Sequence, residues 1–511
     1  MKLSFIKTAL ILLSALLYVQ TYPANDYYPL LVWVALVPWF MALEKNAWKM
    51  NTLLSLLFST LVWLVYLWTP FYDATFIISN ETVTASVLTF LHLLSYMIPF
   101  IITGSIYHYF SAYRLLNTLY LASIFTFLSM SIPTLFTFNM GTALYDSPIL
   151  LQIVDISGVS LLLWLILVVN ISLKNIIVLL LEKKIKKDFL YNSAMIVGVT
   201  LFIVGYGYWH LNIKTPSNLK DKITIATIQP NMGHRLHQLS MVRDNKKSTP
   251  YSHIELSRKA LSQNDKIDLL VWPEGGLLVD CDNQAILKKL SAFTKEIATP
   301  LMYQCNKCTD IKGVNNCYNQ SHYMGVTGQR EAVYNKQNLL PLFENIPDIL
   351  QKTFVEENFH KELLFKKGEE SKVFDNTHAR IIPSLCYDAH SNKLIKKGLE
   401  LKGELIIIQS NDRIFKHSDI GLYDTAINII STTSFRLPMV KASNSGYGVF
   451  VSSSGKILKD SLTPLYKRHI SINTIELRDT FSLYRLYGDW FYLFTLLLML
   501  YLLINKFLKN G

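Results

Sequence analysis

The sequence predicts two fold classes in one chain: a polytopic α-helical membrane domain of about eight transmembrane helices, and a layered α/β domain. Three observations predict this. Long apolar runs dominate residues 1–210, and another lies within 488–511. Residues 211–487 have the mixed composition of a globular domain, with β-branched apolar runs alternating with helical patterns. A mean hydropathy of +0.26 is too apolar for an ordinary soluble enzyme, yet 17% charged residues are too many for a pure membrane bundle.

A helix crosses a bilayer with ~20 mostly apolar residues. Seven candidates precede residue 211, near 4–20, 28–43, 51–69, 84–108, 117–138, 157–181 and 189–209, and an eighth runs from about Trp490 to Phe507. The first has a basic start (Lys2, Lys7) but no small-x-small cleavage site, so it reads as a retained span rather than a signal peptide. Loop Lys and Arg residues set the orientation. The first, third and fifth loops carry none. The opposite side holds Lys2, Lys7, Lys45, Lys49, Arg114, Lys183, Lys184, Lys186, Lys187, Lys506 and Lys509, with Lys174 late in the sixth span. The N-terminus is thus expected in the cytoplasm and residues 211–487 outside it. If a weak segment such as the sixth, near Asp155, were not a span, the domain would lie on the other side.

The formal net charge is +12. Residues 211–487 carry 37 Lys and Arg against 28 Asp and Glu, so most of the excess sits there. A basic domain tied to a bilayer at both ends suits anionic headgroups. No stacking-aromatic pattern or docking motif accompanies the charge, so no nucleic acid partner is expected.

Within 211–487 the strand-like runs are "KITIATIQPN", "KIDLLVWPEGG", "TPLMYQC", "SHYMGVTG", "EAVYNKQNLLPLFENIP", "ARIIPSLCYD", "GELIIIQSND" and "PMVKASNSGYGVFVSSSG". Helical patterns such as "HIELSRKALSQN", "NQAILKKLSAFTKEIA" and "YDTAINIISTTSF" lie between them. Runs apolar on both faces, alternating with helices, argue a layered α/β domain. Such sheets place chemistry just past strand C-terminal ends.

Three strands stop at polar or reactive residues. "DLLVWP" leads to Glu274, "RIIPSL" to Cys386, and "ELIIIQS" to Asn411 and Asp412. The segment "VYNKQNLLPLFE" adds Lys336 and Glu344. Singly, each has a bland reading: a strand-end Glu is usually a surface or capping group, a lone Lys is solvated, a lone Cys fills a core. Together they describe a chemistry. A thiol of pKa ~8.5 needs a base or cation to become a thiolate. Glu274 can take the proton, and Lys336 can stabilise the thiolate and then a tetrahedral oxyanion. The set reads as acyl transfer through a thioester.

All five cysteines fall in this domain: Cys281, Cys305, Cys308, Cys317 and Cys386. An oxidising compartment favours two disulfides among the first four. Cys305-x-x-Cys308 with Cys317 also fits a metal knuckle completed by His322 or Cys281, and unpaired thiols are a third reading. In each, Cys386 has no obvious partner, and an odd cysteine in an exported domain flags a reactive thiol.

The ordered combination of "VWPE", "YNK…LLPLFE" and "LCYD", with 62 residues from Glu274 to Lys336 and 50 from Lys336 to Cys386, resembles the carbon–nitrogen hydrolase (nitrilase) superfamily. Seven spans before such a domain and one after it resemble the apolipoprotein N-acyltransferase family, as do "ATIQPN" and "SND". The resemblance implies a nitrilase-like αββα sandwich. It implies Glu274 as general base, Lys336 as oxyanion stabiliser, Cys386 as nucleophile and Glu344 as a supporting glutamate. Tyr387, Asp388, Asn411 and Asp412 are the candidate substrate-binding residues. The implied reaction takes an acyl chain from a membrane phospholipid and passes it to the N-terminal amine of an apolipoprotein's diacylglyceryl-cysteine. No cofactor and no metal are implied. The implied location is a bacterial inner membrane, with the catalytic domain on the periplasmic side.

The chain departs from the family pattern in places. "PLFE" stands for "PFGE", Arg413-Ile414-Phe415 stands where a Trp usually follows "SND", Ser431 to Ser434 replaces Arg-Ala-x-Glu, Asp388 replaces a Glu, and "LPMVK" replaces "RPVVR". Two other functions stay open: a related membrane acyltransferase or amidase with a different amine acceptor, and a non-catalytic scaffold retaining the fold. The stretches "NIPDILQKTFVEENFH" and "RIFKHSDIGLY" are expected either to dip toward the bilayer or to pack on the sandwich.

Overall fold

The computed structural model describes residues 5–510 except 24–26, 67, 80–81, 111–114, 138, 185–186, 215–218, 233–250, 276, 278–279, 312–313, 349–364, 416–418 and 479. Parts of both stretches expected to meet the bilayer lie outside the described residues. The chain divides into two compact units, one of residues 1–72, 86–216 and 482–511, the other of 73–85 and 217–481.

Among the described residues, the second unit has eleven strands: β1 (Leu219–Gln229), β2 (Leu269–Val271), β3 (Leu301–Ile311), β4 (Val314–Met324), β5 (Arg330–Asn335), β6 (Phe374–Asp375), β7 (Arg380–Leu385), β8 (Leu405–Ser410), β9 (Met439–Ser443), β10 (Val449–Val451) and β11 (His469–Arg478). They form a six-stranded sheet ordered β11-β1-β2-β3-β4-β5 and a five-stranded sheet ordered β10-β9-β8-β7-β6. In each, the central pairs β1–β2–β3 and β7–β8–β9 run parallel, and antiparallel strands flank them.

Strand alternation splits the apolar side chains between two faces. Ile223, Ile225, Leu269, Val271 and Met302 of the first sheet meet Ile381, Leu385, Leu405, Ile407 and Val440 of the second in one buried core. Ala226, Ile228, Leu270, Leu301 and Tyr303 turn the other way, into a second core with residues of helices Tyr251–Gln263 and Gln284–Ile297. On the far side of the second sheet, helix Asn392–Glu400 approaches so closely that a Cβ at Gly398 would meet the Ile382 side chain at 2.7 Å. The result is the expected helix–sheet–sheet–helix stacking.

Two details differ from expectation. The runs "TPLMYQC" and "SHYMGVTG" are parts of a longer hairpin, β3 and β4, each of 11 residues. Its distal half is polar and gave little apolar signal. Strand β11 is absent from the expected set because polar residues interrupt its apolar positions.

Among the described residues, three helices are long and apolar enough to cross a membrane: Thr82–Phe110, Val154–Leu181 and Lys187–Asn212. Phe5–Val19, Leu115–Ser131 and Trp490–Tyr501 are shorter apolar helices. The span expected over 28–43 is broken into a 3-10 turn, Pro29–Trp33, and a short helix, Val37–Ala42. The one expected over 51–69 is helix Trp48–Ser59 followed by a π-helical stretch. A broken helix in an apolar setting needs partners for its freed backbone groups. Asn170 supplies them: its Nδ2 donates to the Val32 carbonyl at 2.8 Å and its Oδ1 accepts from the Leu36 N–H at 2.9 Å. Lys174 is buried and pairs with Glu44 at 2.6 Å.

Candidate active site

Glu274 is set three residues past β2. The Trp272 carbonyl before it accepts from Gln409 Nε2 at 2.7 Å, and Gln409 Oε1 accepts from Ser321 Oγ at 2.5 Å, which ties the β2 end to β8 and β4. The chain then turns at Gly275, whose φ of +74° and close approach to Asn411 leave no room for a side chain: a Cβ would lie 2.4 Å from Asn411 Nδ2. Two amides aim the carboxylate. Asn319 Nδ2 donates to Glu274 Oε1 at 2.5 Å, and Gln304 donates to Asn319 Oδ1 at 2.8 Å while accepting from the Gly275 N–H at 2.8 Å.

Lys336 follows β5 directly. Its N–H donates to the Asn319 carbonyl at 2.9 Å and its carbonyl accepts from Gly368 at 2.7 Å. The buried ammonium lies 2.8 Å from Glu344 Oε1 and 3.5 Å from Glu274 Oε1. Glu344 is steadied by the Leu340 N–H at 2.8 Å. The turn that carries it lacks a glycine and takes its positive φ, 65°, at Leu342.

Cys386 opens a 3-10 turn past β7 with φ +47°, in the left-handed region that costs a non-glycine residue energy. It is the free cysteine and is half-buried. Asp388 pins this turn to the Lys336 segment. Its carboxylate accepts from the N–H groups of Leu385 (3.2 Å), Gln337 (3.1 Å) and Asn338 (2.6 Å) and from Tyr334 OH (2.9 Å). Burial pushes Asp388 up to about 6, with Lys336 and these donors pulling the other way. At 2% exposure, the carboxylate is turned into the protein.

The other candidate residues divide between rim and interior. The Tyr387 ring stacks on His390 at 4.9 Å between centroids. Asn411 is half-buried and accepts from Asn444 Nδ2 at 3.1 Å. Asp412 is buried, 3.2 Å from Lys441 Nζ, which also lies 2.5 Å from Asp424. Lys441 is the final residue of "LPMVK", so the departure from the family pattern keeps a cation at that position. The structure thus brings Glu274, Lys336 and Glu344 into direct contact, joins the Cys386 turn to them through Asp388, and draws Asp412 into a second ion cluster.

The electrostatics are those of a buried acid–cation set. Burial alone would lower the Lys336 ammonium, but Glu274 and Glu344 outweigh it and hold the pKa above the ordinary lysine range. Burial raises Glu274, and Lys336 offsets part of that rise. Burial also pushes the Cys386 thiol well up; Glu274 adds to this and Lys336 opposes it. Burial and Glu274 thus both favour the neutral thiol over the thiolate.

The four clustered cysteines form two disulfides, Cys281–Cys305 and Cys308–Cys317. The first ties Cys281 to β3, where the Cys281 N–H donates to the Asn306 carbonyl at 3.0 Å. The metal-knuckle reading needs Cys305, Cys308 and Cys317 as ligands, but all three sulfurs are taken up in these disulfides; Cys281, Cys305 and His322 do have their ligand atoms within 4.8 Å of one another, with the two sulfurs bonded to each other.

Sequence reasoning did not single out Gln304, Asn319, Gln409, Ser410 or Lys441 as site residues. Their signal is polarity in a strand that is otherwise buried, where a polar group needs a partner.

Residues 14–172 match the family described as the apolipoprotein N-acyltransferase N-terminal domain, and residues 224–426 match the carbon–nitrogen hydrolase family. Apolipoprotein N-acyltransferase 1 of Treponema denticola is 24% identical over 98% of this chain and 97% of its own length. The apolipoprotein N-acyltransferase of Geobacter metallireducens is 23% identical over 69% of this chain and 66% of its own. That of Borreliella burgdorferi is 24% identical over 91% and 88%. With both family domains in their order and relatives matched almost end to end, this chain belongs to the apolipoprotein N-acyltransferase family.

Proposed function

We propose that this protein transfers an acyl chain from a membrane phospholipid to the N-terminal amine of an apolipoprotein's diacylglyceryl-cysteine, through a thioester on Cys386. The observation that carries this reading is the buried Lys336 ammonium held between Glu274 and Glu344, in a framework that Asp388 ties to the Cys386 turn.

The scheme has two balanced halves. The Cys386 sulfur attacks the donor's ester carbonyl while Glu274 takes the thiol proton. Lys336 stabilises the oxyanion of the tetrahedral intermediate. Collapse breaks the ester C–O bond, and the lysophospholipid leaves with the proton from Glu274. The acceptor amine then attacks the thioester and gives a proton to Glu274. The C–S bond breaks, the amide is complete, and the proton returns to sulfur. Each half exchanges one acyl bond for another, so the scheme calls for no nucleotide, metal or redox cofactor. Glu344 holds Lys336 in place, Asp388 shapes the turn, and Tyr387 and Asn411 are the residues we place against substrate.

Both substrates are lipids, so the reacting groups must be held at headgroup depth. We assign residues 1–210 to seven membrane spans, 211–487 to the catalytic domain and 488–511 to an eighth span with its tail. The bacterial relatives matched along most of the chain support a bacterial inner membrane location, and the distribution of loop Lys and Arg supports a periplasmic catalytic domain.

The test is conversion of a synthetic diacylated lipopeptide by the purified full chain in phospholipid–detergent micelles, read by mass spectrometry. The triacylated product is expected. Acylation of Cys386 without that product would overturn the assigned acceptor.

A further inference from the structure

We infer that Ser410, Asp412 and Lys441 form a guard that holds Cys386 as an aimed, neutral thiol until an acyl donor arrives. The inference rests on the reading of Cys386 as the nucleophile.

Ser410 Oγ lies 2.5 Å from Asp412 Oδ1 and 3.7 Å from Cys386 Sγ. A serine hydroxyl has one proton to give. Burial raises Asp412, and Lys441, 3.2 Å away, opposes that rise; a carboxylate paired with this ammonium is a far better acceptor than a thiol sulfur, so the proton goes to Asp412. The Ser410 oxygen then presents lone pairs toward the sulfur, where only a protonated thiol has a hydrogen to offer. A thiolate there would face oxygen lone pairs and, behind them, a carboxylate.

The guard is fixed rather than floppy. Ser410 and Lys441 are fully buried. Asp412 Oδ2 takes Lys441 at 3.2 Å and Ser443 Oγ at 3.3 Å, and Lys441 is shared with Asp424 at 2.5 Å. One cation thus serves two carboxylates. The charges that act on the sulfur are Glu274 and Lys336 from the six-stranded side and Asp412, Asp424 and Lys441 from the five-stranded side; on its own turn, Asp388 is held by N–H groups and His390 pairs with Asp424. After burial and Glu274, Asp412 and Asp424 add to the pressure that keeps the thiol protonated, against Lys336.

Such a guard has a purpose here. The other four cysteines of this unit are oxidised to disulfides. A resident thiolate on the half-buried Cys386 would be open to the same exchange and oxidation, which act on thiolate rather than thiol. Keeping the proton on sulfur until an ester carbonyl is in place removes that hazard without removing the nucleophile.

The test uses the full chain in detergent micelles with both disulfides intact, so that Cys386 is the reactive thiol. Its iodoacetamide alkylation rate is followed against pH in wild type, Asp412→Asn and Ser410→Ala. Removing the Asp412 charge is expected to lower the alkylation midpoint by about one pH unit and to speed alkylation at neutral pH by about tenfold. Ser410→Ala is expected to move the midpoint the same way by less. It should also lower kcat for acyl transfer with KM unchanged, because the sulfur loses its aim; Ser410→Thr should restore kcat. A midpoint that stays put or rises in both variants overturns the guard. If one variant misfolds by circular dichroism, the other decides alone. Wild-type lipopeptide acylation is scored separately: transfer with unshifted alkylation curves sinks the guard alone, whereas failed transfer sinks the proposed function and leaves the curves to judge the guard.

Discussion

Lys336 and Lys441 are both buried ammonium groups set between two carboxylates, one following the edge strand of the six-stranded sheet and one within the five-stranded sheet. Each has a near and a far partner. Lys336 lies 2.8 Å from Glu344 and 3.5 Å from Glu274; Lys441 lies 2.5 Å from Asp424 and 3.2 Å from Asp412. They differ in access. The Glu274 and Glu344 side chains keep 12% and 13% exposure, whereas Asp412 and Asp424 keep 3% and 8%. Glu274 is held loosely by its cation and aimed by a neutral amide, so it can change its proton during a reaction. Asp412 is locked by a lysine and two hydroxyls. The same device thus serves chemistry where its far acid is reachable and architecture where that acid is sealed.

The largest expected effect breaks the comparison at its centre. Cys386→Ala removes the sulfur both clusters face and should lower acyl transfer by more than about a thousandfold, read as triacylated product per hour. Lys336→Met should cost about 100- to 1,000-fold in kcat, the usual range for losing an oxyanion stabiliser, with a much smaller change in KM. Lys441→Met tests whether the second cluster is mainly structural. It strands two buried carboxylates and should cost roughly 3–5 kcal/mol of stability, seen as an early unfolding transition in denaturant.

A subtler prediction concerns pH. Burial raises Glu274, so kcat/KM should fall about tenfold per pH unit on the acid side of a midpoint above the ordinary glutamate range. The neighbouring Glu344 charge contributes to that rise. Glu344→Gln should therefore move the acid limb to lower pH while reducing kcat about tenfold through a less well-held Lys336. An acid limb that does not move would separate Glu344 from the base and blur the distinction between the two clusters.

Much of this was legible in the sequence because it follows from strand periodicity. The runs ending at Glu274, Cys386 and Asn411 are short, β-branched and apolar, and a sheet must deliver their ends to one rim. Lys336 and Glu344 could be named because they share a non-periodic segment, and Glu344 also because of the family resemblance. What was not legible depends on which way a side chain turns once the turn is closed. Asp388 and Asp412 follow strand ends as Asn411 does, yet both are drawn inward, Asp388 by three N–H groups and a tyrosine, Asp412 by Lys441. Nothing in their spacing distinguishes them from residues facing a ligand. The cysteine pairing was open for a related reason: Cys281 meets Cys305 because Asp280 bridges to Asn306 of β3, a contact no local window contains. In the first unit, the apolar run at 28–43 looks like a span by composition. Its break is accommodated by Asn170, a partner 134 residues away from Leu36 that no local window contains.

The most direct test of the central claim is the mass of the Cys386 peptide after the full chain is incubated with phospholipid and no acceptor. The account predicts a gain of one fatty-acyl group on that peptide, removed by thioester-cleaving hydroxylamine, absent in Cys386→Ser and discharged when a diacylated lipopeptide is added. An unmodified Cys386 peptide in an enzyme that still acylates the lipopeptide would contradict it.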